Sequence, residues 1–245
     1  MHRFFVTSEG FSGKTVTITG SDVNHIRTVL RMKPGDRIEV IDHQGFQYEI
    51  VLSEVERDHV RGEVLSKIEI KTESPVNIQM GQALIKGNAF DLLVRKATEL
   101  GVRSIATIQT QRCVARLAKE SARNRTQRWQ RIAEEASKQC GRSRVPEVHS
   151  TVLTIEEFCQ QSADCDLKLV FWEGEQKIRL QDVASPDAVT SIAFLAGPEG
   201  GWAVEEIDFL IQQGFQTVSL GPRLLKADSV SLVILSLLQH RWGDL

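Results

Sequence analysis

The sequence predicts an α/β protein in two parts, a small β-barrel over residues 1–72 and a parallel-sheet domain over residues 73–245. Three observations carry that expectation. The first seventy residues hold short apolar runs broken by turn signals, as a compact all-β domain does. The remainder alternates strand-like with helix-like segments, the pattern of a parallel sheet covered on both faces. Finally, two glycine loops each follow a β-favouring run and lead directly into a helix. They are Ile192-Ala193-Phe194-Leu195-Ala196-Gly197-Pro198-Glu199-Gly200-Gly201-Trp202 and Val218-Ser219-Leu220-Gly221-Pro222-Arg223-Leu224-Leu225-Lys226.

In the N-terminal part, strands are expected at Thr15–Thr19, Arg37–Ile41, Gln47–Leu52 and Val60–Ile70. Turns are expected at Lys33-Pro34-Gly35-Asp36 and His43-Gln44-Gly45. Several short strands in so little chain fit a barrel, which leaves no open sheet edge. One helix interrupts them, with Ser21 at its N-cap and Val23, Ile26, Val29 and Leu30 on one apolar stripe. His25, Arg27 and Arg31 take its other faces, and their spacing points Arg27 and Arg31 the same way.

Lys71-Thr72-Glu73-Ser74-Pro75 reads as a linker. Beyond it, strands are expected at Asn77–Ala83, Ser104–Thr110, Leu167–Trp172, Ser191–Ala196 and Thr217–Leu220. Helices are expected at Asn88–Leu100, Ala122–Cys140, Val204–Gln213 and Val230–Leu238. Phe90, Leu93, Ala97 and Leu100 share one face of the first, and Gly101 is its C′ stop. Trp129, Ile132, Ala133 and Ala136 form the core stripe of the second. The last helix is apolar almost all round, so burial on most sides is expected.

Composition narrows the function classes. With 41% hydrophobic and 25% charged residues, the chain reads as a soluble globular protein. No run approaches the length of a membrane span, and the start lacks the long apolar region of a signal peptide. Cys113, Cys140, Cys159 and Cys165 lack metal-ligand spacing, so reduced thiols in a cytosolic protein are expected, with no zinc site and no catalytic cysteine.

Net charge is −2, yet the charge is unevenly spread. Arg112, Arg116, Lys119, Arg123, Arg125, Arg128, Arg131, Lys138, Arg142 and Arg144 face only Glu120, Glu134 and Glu135 in that stretch. Such a field draws phosphates whatever the net charge, and arginine adds a bidentate fork and a stacking plane. A solvated helix face is the competing explanation.

The two glycine loops fall where parallel sheets bind ligands, at the carboxyl ends of strands expected to be adjacent, and suggest one shared pocket. Neither G-x-G-x-x-G nor G-x-x-x-x-G-K-[ST] occurs. Pro198 and Pro222 stiffen the loops and remove two amide donors that a phosphate site would use. An apolar, backbone-lined slot suits an adenine ring and a thioether, which favours S-adenosyl-L-methionine and leaves other nucleotides open.

At this point the residues become recognisable. Arg3-Phe4-Phe5, His25-Ile26, Val29-Leu30-Arg31 with Gly35-Asp36, and Lys86-Gly87 occur in order. They are followed by Lys96-Ala97-Thr98-Glu99-Leu100-Gly101-Val102, Glu135-Ala136 with Gln139, Gly141-Arg142 and Pro146. Gly197-Pro198-Glu199-Gly200-Gly201, Leu220-Gly221 with Arg223-Leu224-Leu225, and Gly243-Asp244 complete the series. Over essentially its whole length the chain resembles the bacterial uridine-N3 methyltransferases of small-subunit ribosomal RNA, members of the SPOUT superfamily.

The resemblance implies a PUA-like RNA-binding barrel, a SPOUT domain with a C-terminal trefoil knot, and a homodimer. It implies S-adenosyl-L-methionine held by three loops, which fall here on Phe171-Trp172-Glu173, on Leu195-Ala196 with Gly197–Gly201, and on Leu220, Gly221, Leu224 and Leu225. Arg223 and Lys226 are candidates for stabilising the developing uridine anion, with Arg142 positioning phosphate or base. Arg3, His25, Arg27, Arg31, Arg112, Arg116, Arg142 and Arg144 are candidate RNA contacts. Glu199 is expected to order its loop or meet the cofactor amine.

The chain departs from the family pattern at Lys226, Ala227 and Asp228, where Arg, Thr and Glu are usual. Ala203 lacks the usual capping hydroxyl, and Ala89 stands where a basic residue is common. Two rival functions follow: a SPOUT ribose 2′-O-methyltransferase acting on transfer or ribosomal RNA, and an inactive RNA-binding or ribosome-assembly protein.

Overall fold

The computed structural model describes residues 2–114, 119–184, 186 and 188–245. Arg116, a candidate RNA contact, lies outside the described residues. The chain forms two compact units, one of residues up to Glu73 with Ser137–Val145, the other of Ser74–Ala136 with Pro146–Leu245.

The first unit is a six-stranded sheet of β1 (Arg3–Phe5), β2 (Phe11–Ser12), β3 (Thr15–Thr19), β4 (Arg37–Ile41), β5 (Phe46–Val55) and β6 (His59–Glu69). Its order is β1-β4-β5-β6-β3-β2, antiparallel except for β1 on β4. Phe4, Val16, Ile18, Ile26, Ile38, Val40, Ile50, Leu52 and Val60 fill its core. β1 and β2 are its outer strands, and no ladder joins them among the described residues, so the edge-free sheet expected from the sequence is incomplete. Asp42 shapes the β4–β5 turn, accepting from the Gln44 and Phe46 N–H groups and from the Tyr48 hydroxyl.

The helix of this unit differs from expectation in three ways. Gly20, at φ 77°, is the N-cap of α1 (Ser21–Asn24), so Ser21 is inside the helix. The chain continues as a π-helical turn over His25–Val29, with the Leu30 N–H donating five residues back to His25. That wider turn shifts the apolar stripe: Val23 and Ile26 are buried, whereas Val29 is 63% exposed. Arg31 lies past the helix at φ 55°, so it shares no helical face with Arg27.

Glu73 organises the returning segment of the same unit. Its carboxylate accepts from the Arg142 guanidinium at 2.6 Å and from the Ser143 and Arg144 N–H groups. Arg142 is 4% exposed, and this pairing satisfies a charge that burial would otherwise penalise.

The second unit is a wholly parallel sheet, β12-β10-β11-β7-β8-β9. Its strands are β7 (Asn77–Ala83), β8 (Ser104–Ile108), β9 (Glu147–Leu153), β10 (Leu167–Phe171), β11 (Ser191–Ala196) and β12 (Gln216–Val218). Between them run α2 (Ala89–Glu99), α3 (Lys119–Cys140), α4 (Ile155–Gln161), α5 (Val204–Gln212) and finally α6 (Ala227–Trp242). One core cluster joins Ala106, Ile108, Val170, Ala193 and Leu195 of the strands to Phe158 of α4, Trp202, and Ile207 and Leu210 of α5. Gly101 ends α2 at φ 79°, as its position past the apolar stripe requires. Phe90 of α2 stacks on Trp129 of α3 with ring centroids 4.1 Å apart.

α6 packs on β7, β11 and α2 through Ser231, Ile234, Leu235, Leu238 and Gln239. Val233 and Leu237 stay exposed, so within one chain this helix is buried on one side only.

Candidate active site

A cavity of about 1010 Å³ opens at the carboxyl ends of the parallel strands. Both glycine loops line it, Gly197–Gly201 after β11 and Leu220–Leu225 after β12. These strands are not neighbours; β10 lies between them and adds Phe171, Trp172 and Glu173 as a third wall. That interposed strand explains how three loops distant in sequence converge.

Local contacts fix each wall. Trp202, 2% exposed, donates its indole N–H to the Phe171 carbonyl at 3.0 Å. A Cβ on Gly197 would meet that indole at 2.9 Å, so only glycine fits there. Gly201 and Gly221 adopt φ of 70° and 98°, conformations that L side chains rarely take. Glu199 Oε1 accepts from the Lys86 N–H at 2.9 Å and thereby ties the loop to the segment after β7. Arg112 donates to the Gly200 carbonyl at 3.4 Å, which makes it a loop brace.

Ala203 does occupy the N-cap of α5, and Glu206 compensates. Its Oε2 accepts from the Ala203 N–H at 2.9 Å while Oε1 accepts from the Gln111 N–H at 2.7 Å. At α6 the cap position is Lys226, in extended conformation, and Ala227 is the first helical residue. The missing hydroxyl at Ala227 therefore removes no cap.

Glu175, also on the cavity wall, accepts from the Thr217 hydroxyl at 2.7 Å and from the Lys177 and Ile178 N–H groups. The Thr217 hydrogen bond, followed by the two amides, holds its carboxyl below the usual range. Arg179 continues this wall, and its backbone bridges to Ser219 beside the second glycine loop.

Among the cofactor-contact candidates, all but Leu195 and Ala196 line the cavity; those two are core residues of β11. Arg223 and Lys226 line it as well, both exposed. Arg142 does not line it and is held by Glu73. In the first unit, Arg3 pairs with Glu39 at 3.0 Å and donates to the Lys138 carbonyl, whereas His25, Arg27, Arg31 and Arg144 are exposed. Sequence reasoning missed Glu175, Arg179 and the fully buried Gln82 under the Gly197 loop. Gln82 shares β7 with Asn77 and Gln79, so a polar residue in that strand was no distinguishing signal.

The cavity suits a folded cofactor of nucleoside and amino-acid parts. Apolar Phe171, Val218, Leu220 and Leu225 line it together with glycine backbone, which admits close approach of a ligand, and with the carboxylates of Glu173, Glu175, Glu199 and Asp228. Among the described residues, no group of three His, Cys, Asp or Glu is arranged to hold a metal, and no helix is long and apolar enough to cross a membrane.

Comparisons with known proteins agree with this geometry. A family model described as an RNA methyltransferase domain matches residues 72–239, and one described as an RNA methyltransferase PUA domain matches residues 18–65. The ribosomal RNA small subunit methyltransferase E of Bacillus subtilis is 31% identical over 249 residues, covering 98% of this chain and 97% of that protein. Its namesake from Synechocystis is 30% identical, covering 96% of this chain and 76% of its own length. Among solved structures, the Neisseria gonorrhoeae protein of that name, bound to S-adenosyl methionine, superposes with a TM-score of 0.85 at 31% identity, covering 100% of this chain and 99% of that one.

Proposed function

Because this chain belongs to the RNA methyltransferase family with a PUA domain, we propose that it methylates N3 of a uridine in small-subunit ribosomal RNA. The observation that carries the reading is the single cavity formed by the Gly197–Gly201 loop, the Leu220–Leu225 segment and Phe171–Glu173. These residues would hold S-adenosyl-L-methionine, which supplies an electrophilic methyl group on a sulfonium. The protein supplies approach, electrostatics and exclusion of water.

Uridine N3–H is weakly acidic, and its loss spreads negative charge over O2 and O4. Arg223 and Lys226, on the cavity wall, stabilise that charge as it develops. Lys226 does so as a point charge without a planar fork, which leaves Arg223 as the directional donor. Arg142 acts from its pairing with Glu73, ordering the backbone that carries exposed Arg144 toward RNA. N3 lies on the pairing edge, so the target base must be unpaired or drawn from its helix. Exposed His25, Arg27, Arg31 and Arg144 grip the backbone around it.

We read residues 1–72 as the RNA-binding domain and residues 73–245 as the methyl-transfer domain, with a C-terminal knot and a cytoplasmic setting. Homodimer formation belongs to the same reading. It is supported by Leu92 of α2 and Val233 and Leu237 of α6, apolar and exposed on two helices that pack together. Transfer of labelled methyl from S-adenosyl-L-methionine to small ribosomal subunits tests the function. Incorporation dependent on Arg223 supports it; cofactor binding by calorimetry without incorporation refutes the activity, and absence of binding favours an RNA-binding protein.

A further inference from the structure

Gln82 is fully buried at the end of β7, where its neighbours in register are Thr107 and Ala196. Its Nε2 donates to the Ala83 carbonyl at 3.0 Å and to the Gly197 carbonyl at 3.4 Å. Its Oε1 accepts from the hydroxyl of Ser231, also fully buried, at 2.5 Å. One amide plane thus holds the first glycine of the Gly197–Gly201 loop on one side and α6 on the other. α6 is the helix whose cap is Lys226, three residues after Arg223.

A buried amide is costly unless both ends are paired, and here both ends are paired to elements of the cavity. The Gly197 carbonyl is turned down to Gln82 while its α-carbon sits against Trp202, whose indole in turn donates to Phe171. Phe171, Trp202, Gly197, Gln82 and Ser231 therefore form one continuous strut beneath the cavity, joining two of its walls to α6, the helix that follows the third. An apolar side chain of similar size would fill the volume equally well but would leave the Gly197 carbonyl free to turn.

We infer that Gln82 is a positioning residue, setting through Gly197 and Ser231 the spacing between the cofactor loop and the Arg223–Lys226 segment. This rests on the cavity being the methyl-transfer site. Gln82→Glu keeps an acceptor for Ser231 and loses the donor to Gly197; Ser231→Ala does the reverse; Gln82→Leu removes both arms. The amides of Gly197, Gly200 and Gly201 should exchange with deuterium faster in cofactor-free Gln82→Glu than in wild type, while Ser231→Ala leaves them unchanged. In the cofactor-loaded enzyme, Gln82→Glu should raise the cofactor KM, and Ser231→Ala should lower kcat with little change in that KM. Losses of about ten- to a hundredfold are expected for misplacement of this kind.

A residue that only stabilised the fold would lower the melting temperature and leave amide exchange, KM and kcat unmoved well below it; that result in the two single-arm variants overturns the proposal. Should Gln82→Leu fail to fold, the single-arm variants decide alone. Wild-type protein that binds the cofactor but transfers no methyl would refute the parent reading, and the exchange experiment on cofactor-free protein would still judge the strut.

Discussion

Trp202 donates its indole N–H to the carbonyl of Phe171 at 3.0 Å, so the residue following the first glycine loop is tied to the last residue of β10. Two cavity walls are thereby fixed to each other by one buried ring, and Gly197 lies against the same ring.

Gly197→Ala should therefore weaken S-adenosyl-L-methionine binding. The added methyl would meet Trp202 at 2.9 Å, and that indole is buried and held by its hydrogen bond to Phe171. Overpacking of this kind costs about 1–3 kcal/mol, or roughly five- to a hundred-and-fiftyfold in affinity if it falls on the bound state. Calorimetry checks it; an unchanged dissociation constant would show that the loop does not contact the ligand.

Arg223→Ala should retain cofactor binding and lose about a hundredfold or more in single-turnover methyl transfer, the usual effect of removing a preorganised donor. Arg223→Lys should recover part of the rate, since charge returns without the fork. Wild-type turnover in the alanine variant would remove Arg223 from the mechanism.

Glu175 should make its wall of the cavity acid-sensitive. Its carboxyl is held below the ordinary value of 4.5, first by Thr217 and then by the Lys177 and Ile178 amides. A depressed carboxylate contributes stability that is present above about pH 4.5 and is lost as pH falls through its folded value. Melting temperature should thus fall with acidification in wild type, and Glu175→Gln should start lower and show a shallower acid limb. Parallel acid limbs would show that Glu175 does not couple this wall to pH.

Leu237→Asp should disrupt self-association. The side chain is 39% exposed on α6, four residues from exposed Val233 and on a helix packed against α2, where Leu92 is exposed, and a charge there opposes burial against a second copy. Sedimentation should give a dimer for wild type and a monomer for the variant. A monomeric wild type would remove the dimer from the account.

Much of this arrangement was legible in the residues. β3, β4, β7 and β11 begin and end where their apolar runs do, and Gly101 stops α2 where a left-handed residue is needed. The glycine loops pointed to one cavity because Gly197, Gly201 and Gly221 leave few other uses for such backbone. The adjacency of their strands was misjudged, since only tertiary pairing puts β10 between β11 and β12. α4 went unseen because seven residues give too short a period, although Thr154 and Glu157 form a capping box at its start. The π-helical turn at His25–Val29 carries no signal in an apolar stripe counted at ordinary helical spacing, which misassigned Val29. Arg142 looked like a free cation because its partner Glu73 lies 69 residues away in sequence.

The most direct test of the central claim is the identity of the modified nucleoside. Small ribosomal subunits lacking the modification would be incubated with this protein and S-adenosyl-L-methionine, the RNA digested to nucleosides, and the product separated by mass and retention. N3-methyluridine, absent when Arg223→Ala replaces wild type, is the expected result. A ribose-methylated nucleoside, or no methylated product from protein that binds the cofactor, would contradict it.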